Sequence, residues 1–381
     1  MIESKTKKRS KVVVSNSKIG NKKSKIPKKK DKKTKKQSQR QKTYNNNTIK
    51  QITVNAKYTE NKISKKEGEF FDTKDYDTII KDNCDVYGID ENGKKKLLLK
   101  LRKNVIPNSV CVNAYQSLEK EAQHLNGNRG AAAGKVNLKK LPKYVGEIVK
   151  RDNYRVFYKS PDGTLRKDNV SNLVRSNIIG YYDMPDRNKL AIYKKMGKEA
   201  PKCRQTAFTR DKVEEWKTAI PIIEAGDKQF KELLPQRHYN QYQVAKKTPN
   251  YQVKDTAYST VTINYNYRSA CHKDAGDFDE GFGNLMVLEK DKCCSNTNID
   301  TNSNQEVYSY EGGYLGFPKY GVCVDVRQGD YLAMDVHEWH CNCKMICGCP
   351  KKEKCKNKDH FGRLSLVCYL RKGMIRCQDK N

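Results

Sequence analysis

Between residues 258 and 266 apolar and polar side chains alternate, Val261 and Ile263 against Thr260, Thr262 and Asn264. A period of two marks a strand with one buried face. Apolar runs follow at 285–288, 322–326, 331–334 and 364–370, parted by glycine-containing turns at 281–283, 312–316 and Gly329. Upstream the period changes. Ile222, Ile223, Phe230, Leu233 and Leu234 recur at helical spacing, which predicts a helix over 221–234 that Pro235 ends. A helix before it opens at 209–211, with Thr209 or Asp211 as cap and Trp216 on the buried side. Residues 144–159 read as strand, closed by the turn Ser160-Pro161-Asp162-Gly163. Short strands closed by turns, with helices beside them, predict an α+β fold whose core is a jelly-roll or related double sheet buttressed on one face.

The rest of the chain carries weaker patterns. Residues 51–142 are mixed; 96–101 are apolar and basic, and 130–134 read as a flexible join. Residues 1–50 have almost nothing to bury and are expected to be a disordered tail. Residues 290–305 are Asn-rich and expected to be a mobile loop. The expected organisation is a tail over 1–50, an ill-defined extension over 51–144, and a core over 145–377 interrupted by a Cys-rich insertion at 341–360.

Charge narrows the partners. The net charge is +33, and residues 1–50 hold 19 Lys/Arg against Glu3 and Asp31. The body is therefore basic as well as the tail, which points to a polyanion, above all nucleic acid. Lys28-Lys29-Lys30 resembles a nuclear-import signal, so the expected location is the nucleus, or a virus factory if the chain is virus-encoded. No run approaches the length of a membrane span, and no signal-peptide core is present. The 14 cysteines then read as thiols or metal ligands rather than a disulfide framework.

His272-Lys273-Asp274 follows the alternating strand, and residues at i and i+2 of extended chain face the same way. With a later histidine they would form the two-histidine, one-carboxylate set that holds Fe(II) on one face. His337 and His340 both qualify. Arg363 opens the last strand and, if buried, would grip a dicarboxylate in two bonds, with Ser365 donating to the same group. Any one of these residues is as readily a strand cap or a surface pair. Their order is what carries weight. Cys341, Cys343, Cys347, Cys349, Cys355 and His360 could close a structural zinc site, although their spacing matches no standard finger.

Over roughly 180–374 the sequence resembles the TET/JBP family of 2-oxoglutarate dioxygenases. The resemblance is carried by Cys203-Arg204-Gln205-Thr206-Ala207-Phe208-Thr209-Arg210-Asp211, by Tyr258-Ser259-Thr260-Val261-Thr262-Ile263-Asn264, and by Cys271-His272-Lys273-Asp274-Ala275-Gly276-Asp277-Phe278. It continues through Gly281-Phe282-Gly283-Asn284-Leu285, residues 329–340 and residues 363–374. It implies a double-stranded β-helix (cupin-like), with Fe(II) on His272, Asp274 and His340 and 2-oxoglutarate on Arg363. His340 is chosen because it lies eleven residues after Gly329. The implied reaction uses O2 to oxidise the methyl of 5-methylcytosine or thymine in DNA, the base being flipped from the duplex. Asp277 takes the place of the family's base-reading acid. Arg371 stands where TET-like enzymes have a base-contacting histidine, and as a donor it suits a carbonyl or turns outward to a phosphate. An ionised Asp277 would accept from the cytosine N4 amine, so the expected reaction is 5-methylcytosine to 5-hydroxymethylcytosine, ahead of thymine to 5-hydroxymethyluracil. The rivals are a catalytically silent DNA- or RNA-binding protein of the same fold, and an oxygenase acting on RNA or protein.

Overall fold

A computed structural model of the chain describes residues 49–186, 189–290, 310–347 and 362–377. The expected disordered tail up to residue 48 and nearly all of the Asn-rich loop lie outside the described residues, while Lys50, expected to end the tail, opens a strand. The strands of the first half are β1 (Lys50–Asn55), β2 (Thr78–Ile80), β3 (Cys84–Ile89), β4 (Lys95–Arg102), β5 (Ile148–Arg151), β6 (Val156–Lys159), β7 (Leu165–Val170), β8 (Ser176–Tyr182) and β9 (Arg204–Gln205). Those of the second are β10 (Thr260–Tyr265), β11 (Gly283–Leu288), β12 (Tyr310–Gly312), β13 (Leu315–Phe317), β14 (Val322–Val324), β15 (Tyr331–Met334), β16 (Cys341–Asn342), β17 (Met345–Cys347) and β18 (Leu364–Tyr369). The helices are α1 (Glu60–Ser64), α2 (Asn108–Ala122), α3 (Leu190–Lys195), α4 (Ala207–Asp211), α5 (Val213–Leu233) and α6 (Pro235–Ala245).

Nine strands make one mixed sheet in the order β1-β3-β4-β15-β11-β18-β10-β8-β9, and four make a second, β16-β13-β14-β2. Leu285, Val287, Leu332 and Met334 of the large sheet meet Leu315, Phe317, Val322 and Val324 of the small one. On the large sheet's other face, Leu118 of α2 and Ile222, Ile223 and Phe230 of α5 pack with Val261, Ile263, Met286 and Leu366. Covered on both sides, β11 is buried along its whole length, which is why its sequence is a continuous apolar run. The expected α+β double-stranded β-helix with helices on one face is borne out.

Several elements differ from their sequence reading. α5 runs unbroken through Pro221 instead of starting there. An interior proline costs about 3 kcal/mol. The same helix buries Trp216, Ala219, Ile222, Ile223 and Phe230, and at ~1.5–3 kcal/mol for each large side chain that packing outweighs the break. Leu233 does end the helix, but Pro235 then serves as the first residue of α6. Neither Thr209 nor Asp211 caps the helix that buries Trp216: both lie inside α4, and Lys212 holds the cap position of α5. The cap of α4 is Thr206, and the buried Thr209 hydroxyl accepts from Gly180 N at 2.7 Å, fastening α4 to β8. Residues 144–159 form a hairpin, β5 and β6, rather than one strand.

Residues 51–144 take a larger part than their weak pattern suggests. β1, β3 and β4 extend the large sheet, with β4 antiparallel to β15, and β2 lies parallel to β14 in the small one. Three of the four basic residues of β4 face acids: Lys96 meets Glu338 at 2.5 Å, Lys100 meets Asp85 at 3.1 Å and Arg102 meets Asp85 at 2.8 Å. The supposed flexible join is a 3-10 turn over Gly130–Ala133. Its Ala132 carbonyl accepts from Tyr267 Oη at 2.5 Å and from Ala270 N at 2.9 Å. Cys203 and Cys377 form a disulfide, with Cα atoms 5.8 Å apart, where the sequence reading expected thiols. Proximity in the fold, invisible in a spacing of 174 residues, decides that pair.

Candidate active site

The loop after β10 and the start of β16 are stitched by an isolated antiparallel bridge between His272 and His340. Each residue's N–H donates to the other's carbonyl, at 3.1 and 3.0 Å. Their rings lie 4.3 Å apart. Carbonyls only accept, so His272 Nδ1–H donates to Ala270 O at 2.7 Å and His340 Nδ1–H to Glu338 O at 2.9 Å. Both Nε2 atoms are thereby left bare. They face the two carboxylate oxygens of Asp274, at 3.6 Å from His272 and 3.8 Å from His340. Among the described residues this trio is the group of His, Cys, Asp or Glu side chains that could hold a metal, its ligand atoms all within 4.8 Å.

Burial and mutual charge act differently on the three groups. Burial disfavours charge on His340, and the neighbouring His272 adds to it, bringing its pKa down to about 4. Burial also opposes a charge on Asp274, but hydrogen bonding to His272 and the two imidazoles outweigh it and hold the carboxyl well below its usual range. For His272 the balance reverses: burial lowers its pKa, yet the bond to Asp274 and that carboxylate's charge leave it raised. Two imidazole nitrogens and one carboxylate, held by backbone carbonyls from behind, are a donor set that fits Fe(II). His337 is the candidate the structure keeps apart. Its ring nitrogens sit 3.2 Å from the carbonyls of Asp274 and Phe278, so both are engaged with backbone.

Arg363 precedes β18 and is 3% exposed, with Nε and Nη2 buried and lacking any partner. Its backbone is fixed to Asn266 in both directions, N–H to Oδ1 at 2.8 Å and carbonyl to N at 2.9 Å. A buried guanidinium left unpartnered is costly unless an anion completes it. Two residues on, Ser365 accepts from Asn264 Nδ2 at 3.3 Å and lines a cavity of about 380 Å³ that the iron-suited trio also lines. Arg363 does not itself line that cavity; it is a buried cation whose free donors suit a carboxylate such as that of 2-oxoglutarate.

Asp277 and Arg371 face each other across a second isolated bridge and line the same cavity. Arg371 does not turn outward. Its Nε donates to Asp183 Oδ1 at 2.6 Å, and its guanidinium lies 4.8 Å over the Tyr182 ring. Asp277 is 7% exposed, and its Oδ2 has no partner. Burial first, and the charge of Asp274 second, push its carboxyl well above the usual range and so favour the uncharged acid.

Two residues escaped the sequence reading. Arg129 lines the cavity from just before the Gly130 turn. Its Nε donates to Ser176 O at 3.3 Å, while its Nη2 is buried without a partner. Glu60, at the start of α1, accepts from Lys273 at 2.8 Å, Trp339 Nε1 at 2.8 Å and Lys319 at 2.9 Å. It thus braces the residues beside all three members of the trio. Neither carries a local signal, because both lie more than a hundred residues from the motifs they serve. The cysteines proposed for zinc divide. Cys341 and Cys343 are buried with Cys271, Cys323 and Tyr76, and Cys341 Sγ lies 3.1 Å from Tyr76 Oη. The side chain of Cys347, and all of Cys349, Cys355 and His360, lie outside the described residues.

A family comparison matches this part of the chain. Residues 189–372 match the Tet_JBP oxygenase domain of the 2OGFeDO superfamily. The resemblance expected from the sequence is borne out, and the superfamily implies Fe(II) and 2-oxoglutarate. The Tet_JBP segment also resembles curated proteins. "Thymine dioxygenase JBP1-B" of Trypanosoma cruzi is 31% identical over 196 residues, 51% of this chain and 19% of that protein. "Bifunctional helicase and thymine dioxygenase JBP2" of Leishmania tarentolae is 30% identical over 203 residues, 52% of this chain and 15% of that protein. The chain therefore spans less than a fifth of the length of these relatives. A solved structure of NgTET1 in complex with 5mC DNA aligns with 76% of this chain and 77% of its own, at 14% identity and a TM-score of 0.36.

Proposed function

We propose that this chain is an Fe(II)- and 2-oxoglutarate-dependent dioxygenase that hydroxylates the methyl of a pyrimidine in DNA, and that thymine is the base its site suits best. The observation that carries the reading is the trio of bare donors on His272, Asp274 and His340, set in one cavity with Asp277 and Arg371. In this reading the trio holds iron, and Arg363 with Ser365 holds the far carboxylate of 2-oxoglutarate. When bound, iron and 2-oxoglutarate together with O2 supply an oxidant strong enough for an unactivated methyl C–H bond. The chain's own residues orient the partners. Leu285, Leu315, Met334 and Val336 supply the apolar part of the cavity wall.

An ionised Asp277 would favour 5-methylcytosine by accepting from its N4 amine. Burial of that carboxyl supports a different pairing. A neutral acid can donate its O–H to O4 of thymine and accept N3–H, and the neighbouring Arg371 adds a second donor. The relatives' description as thymine dioxygenases points the same way. 5-Methylcytosine is the second reading, since a neutral acid can also donate to N3 and accept from N4.

The test is mass spectrometry of nucleosides from duplexes carrying 5-methylcytosine or only thymine, after incubation with enzyme, iron and 2-oxoglutarate. The expected main product is 5-hydroxymethyluracil, and Asp277→Asn should keep that reaction within ~10-fold, because an amide can still donate to O4 and accept N3–H. Dominant 5-hydroxymethylcytosine would reverse the base assignment. Turnover of 2-oxoglutarate without either product would move the substrate to RNA or protein.

A further inference from the structure

We propose that the three-stranded sheet β5-β6-β7, with the segment leading into it, is the surface that binds the duplex flanking the base in the cavity. This rests on the DNA reading above and assigns it a surface. The sheet lies before the segment that the family model matches, which begins at residue 189.

Residues 135–170 hold ten Lys/Arg against four Asp/Glu. Among the described residues β5, β6 and β7 pair with one another and with no other strand. One face closes over a small core of Val156, Tyr158 and Val170 with Val136, Leu141 and Val145. What remains is turned outward. Every residue of β5 is exposed. Lys139, Lys140, Lys143, Lys150 and Arg151 are exposed and pair with no described acid, whereas nearby Lys159 is matched to Glu147 at 2.7 Å. Among the cations stand Tyr144 and Val149, each 51% exposed. Unmatched cations gathered round exposed aromatic and aliphatic side chains are the composition of a polyanion-binding surface.

The surface is continuous with the cavity. Asp152 Oδ1 accepts from Tyr154 N at 2.7 Å and Arg155 N at 2.8 Å, forming the tight β5–β6 turn. Tyr154 Oη then donates to Glu67 O at 2.9 Å and seats the turn on the cavity rim. Arg155 lines the cavity beside Arg129, its guanidinium packed over Gly130 so closely that a Cβ there would lie 3.0 Å from it. A base can reach the trio only by leaving its stack, and its duplex must then rest at this rim. Unpaired lysines beside the rim meet phosphates, and Tyr144 and Val149 suit the sugar and base faces that an opened stack exposes.

The test uses the full chain carrying Lys139→Gln, Lys140→Gln, Lys143→Gln, Lys150→Gln and Arg151→Gln together. Affinity for a duplex is read by fluorescence anisotropy over a salt series. Each lost phosphate contact removes ~0.9 from the slope of log affinity against log salt, so the slope should shallow by about 4. Affinity at low salt should fall at least ~10-fold, while thermal melting and 2-oxoglutarate binding stay as in the unaltered protein. An unchanged slope in a folded variant would overturn the proposal. So would an equal loss of affinity for polyglutamate, which would make the sheet a surface for acidic protein. Charge reversal at Lys150 and Arg151 alone gives a second reading with less risk to folding and should shift the slope by about 2. If the unaltered chain oxidises no base yet binds duplex through this sheet, the reaction assignment fails and the surface stands.

Discussion

His337 and His340 stand three residues apart, and what separates them is which ring nitrogens the backbone has already taken. Both nitrogens of His337 face carbonyls, whereas His340 gives up Nδ1 alone and keeps Nε2 toward Asp274. His340→Ala should therefore lose Fe(II) binding, and with it the absorption band that 2-oxoglutarate forms on the iron in the absence of O2. His337→Ala should bind Fe(II) within ~3-fold of the unaltered chain, since it removes no ligand. The reverse result would make His337 the ligand. The family spacing from Gly329 already favoured His340, but the chemical reason appears only when the loop carbonyls are in place. Asp277 teaches the converse. Its residue type was legible in sequence, while its protonation was not, because burial is a property of the folded cavity.

At the scale of elements, α1 is five residues long, yet Glu60 at its start gathers Lys273, Trp339 and Lys319 around one carboxylate. Burial would raise the Glu60 pKa, but those three donors outweigh it and bring it from 4.5 to about 2. A folded-state pKa below the unfolded one means stability that is fully present above pH 4.5 and lost as pH falls through about 2. Glu60→Gln should thus cost about 1–2 kcal/mol near neutrality, a figure reduced for the screening of a side chain 47% exposed. Urea denaturation of both proteins should show the difference shrinking below pH 4.5 and gone near pH 2. A constant difference across that range would mean that packing, not charge, is what Glu60 contributes. Lys273 lies between two of the proposed iron ligands, so the same variant should also weaken metal binding.

For the whole molecule, the segment that resembles known oxygenases is not a complete fold. β4 covers the edge of β15, and Val86, Leu98, Leu99 and Leu101 complete the core that Leu285, Val287, Leu332 and Met334 begin. A shortened chain of residues 189–377 would bare that edge and that apolar face. It should lose its cooperative melting transition and bind a hydrophobic dye, whereas residues 49–381 should melt as the full chain does. A cooperative, dye-free short form would show that the N-terminal strands are an addition to the core and not part of it.

What the sequence by itself determined were the features with a local physical signature. The alternation over 258–266 and the apolar runs that became β11, β15 and β18 follow from burial on one face or two. His272, Asp274 and Arg363 were legible as residue types in an order that chemistry recognises. The tertiary structure alone decided what depends on non-local partners. It drew β1, β3 and β4 into the sheet through hydrogen bonds that any backbone can make, and held α5 together across Pro221 by packing. It brought Arg129 and Glu60 to motifs distant in sequence and buried Asp277 where its charge is disfavoured. Hydrogen-bond pairing, burial and electrostatic surroundings belong to positions in space, and no reading along the chain contains them.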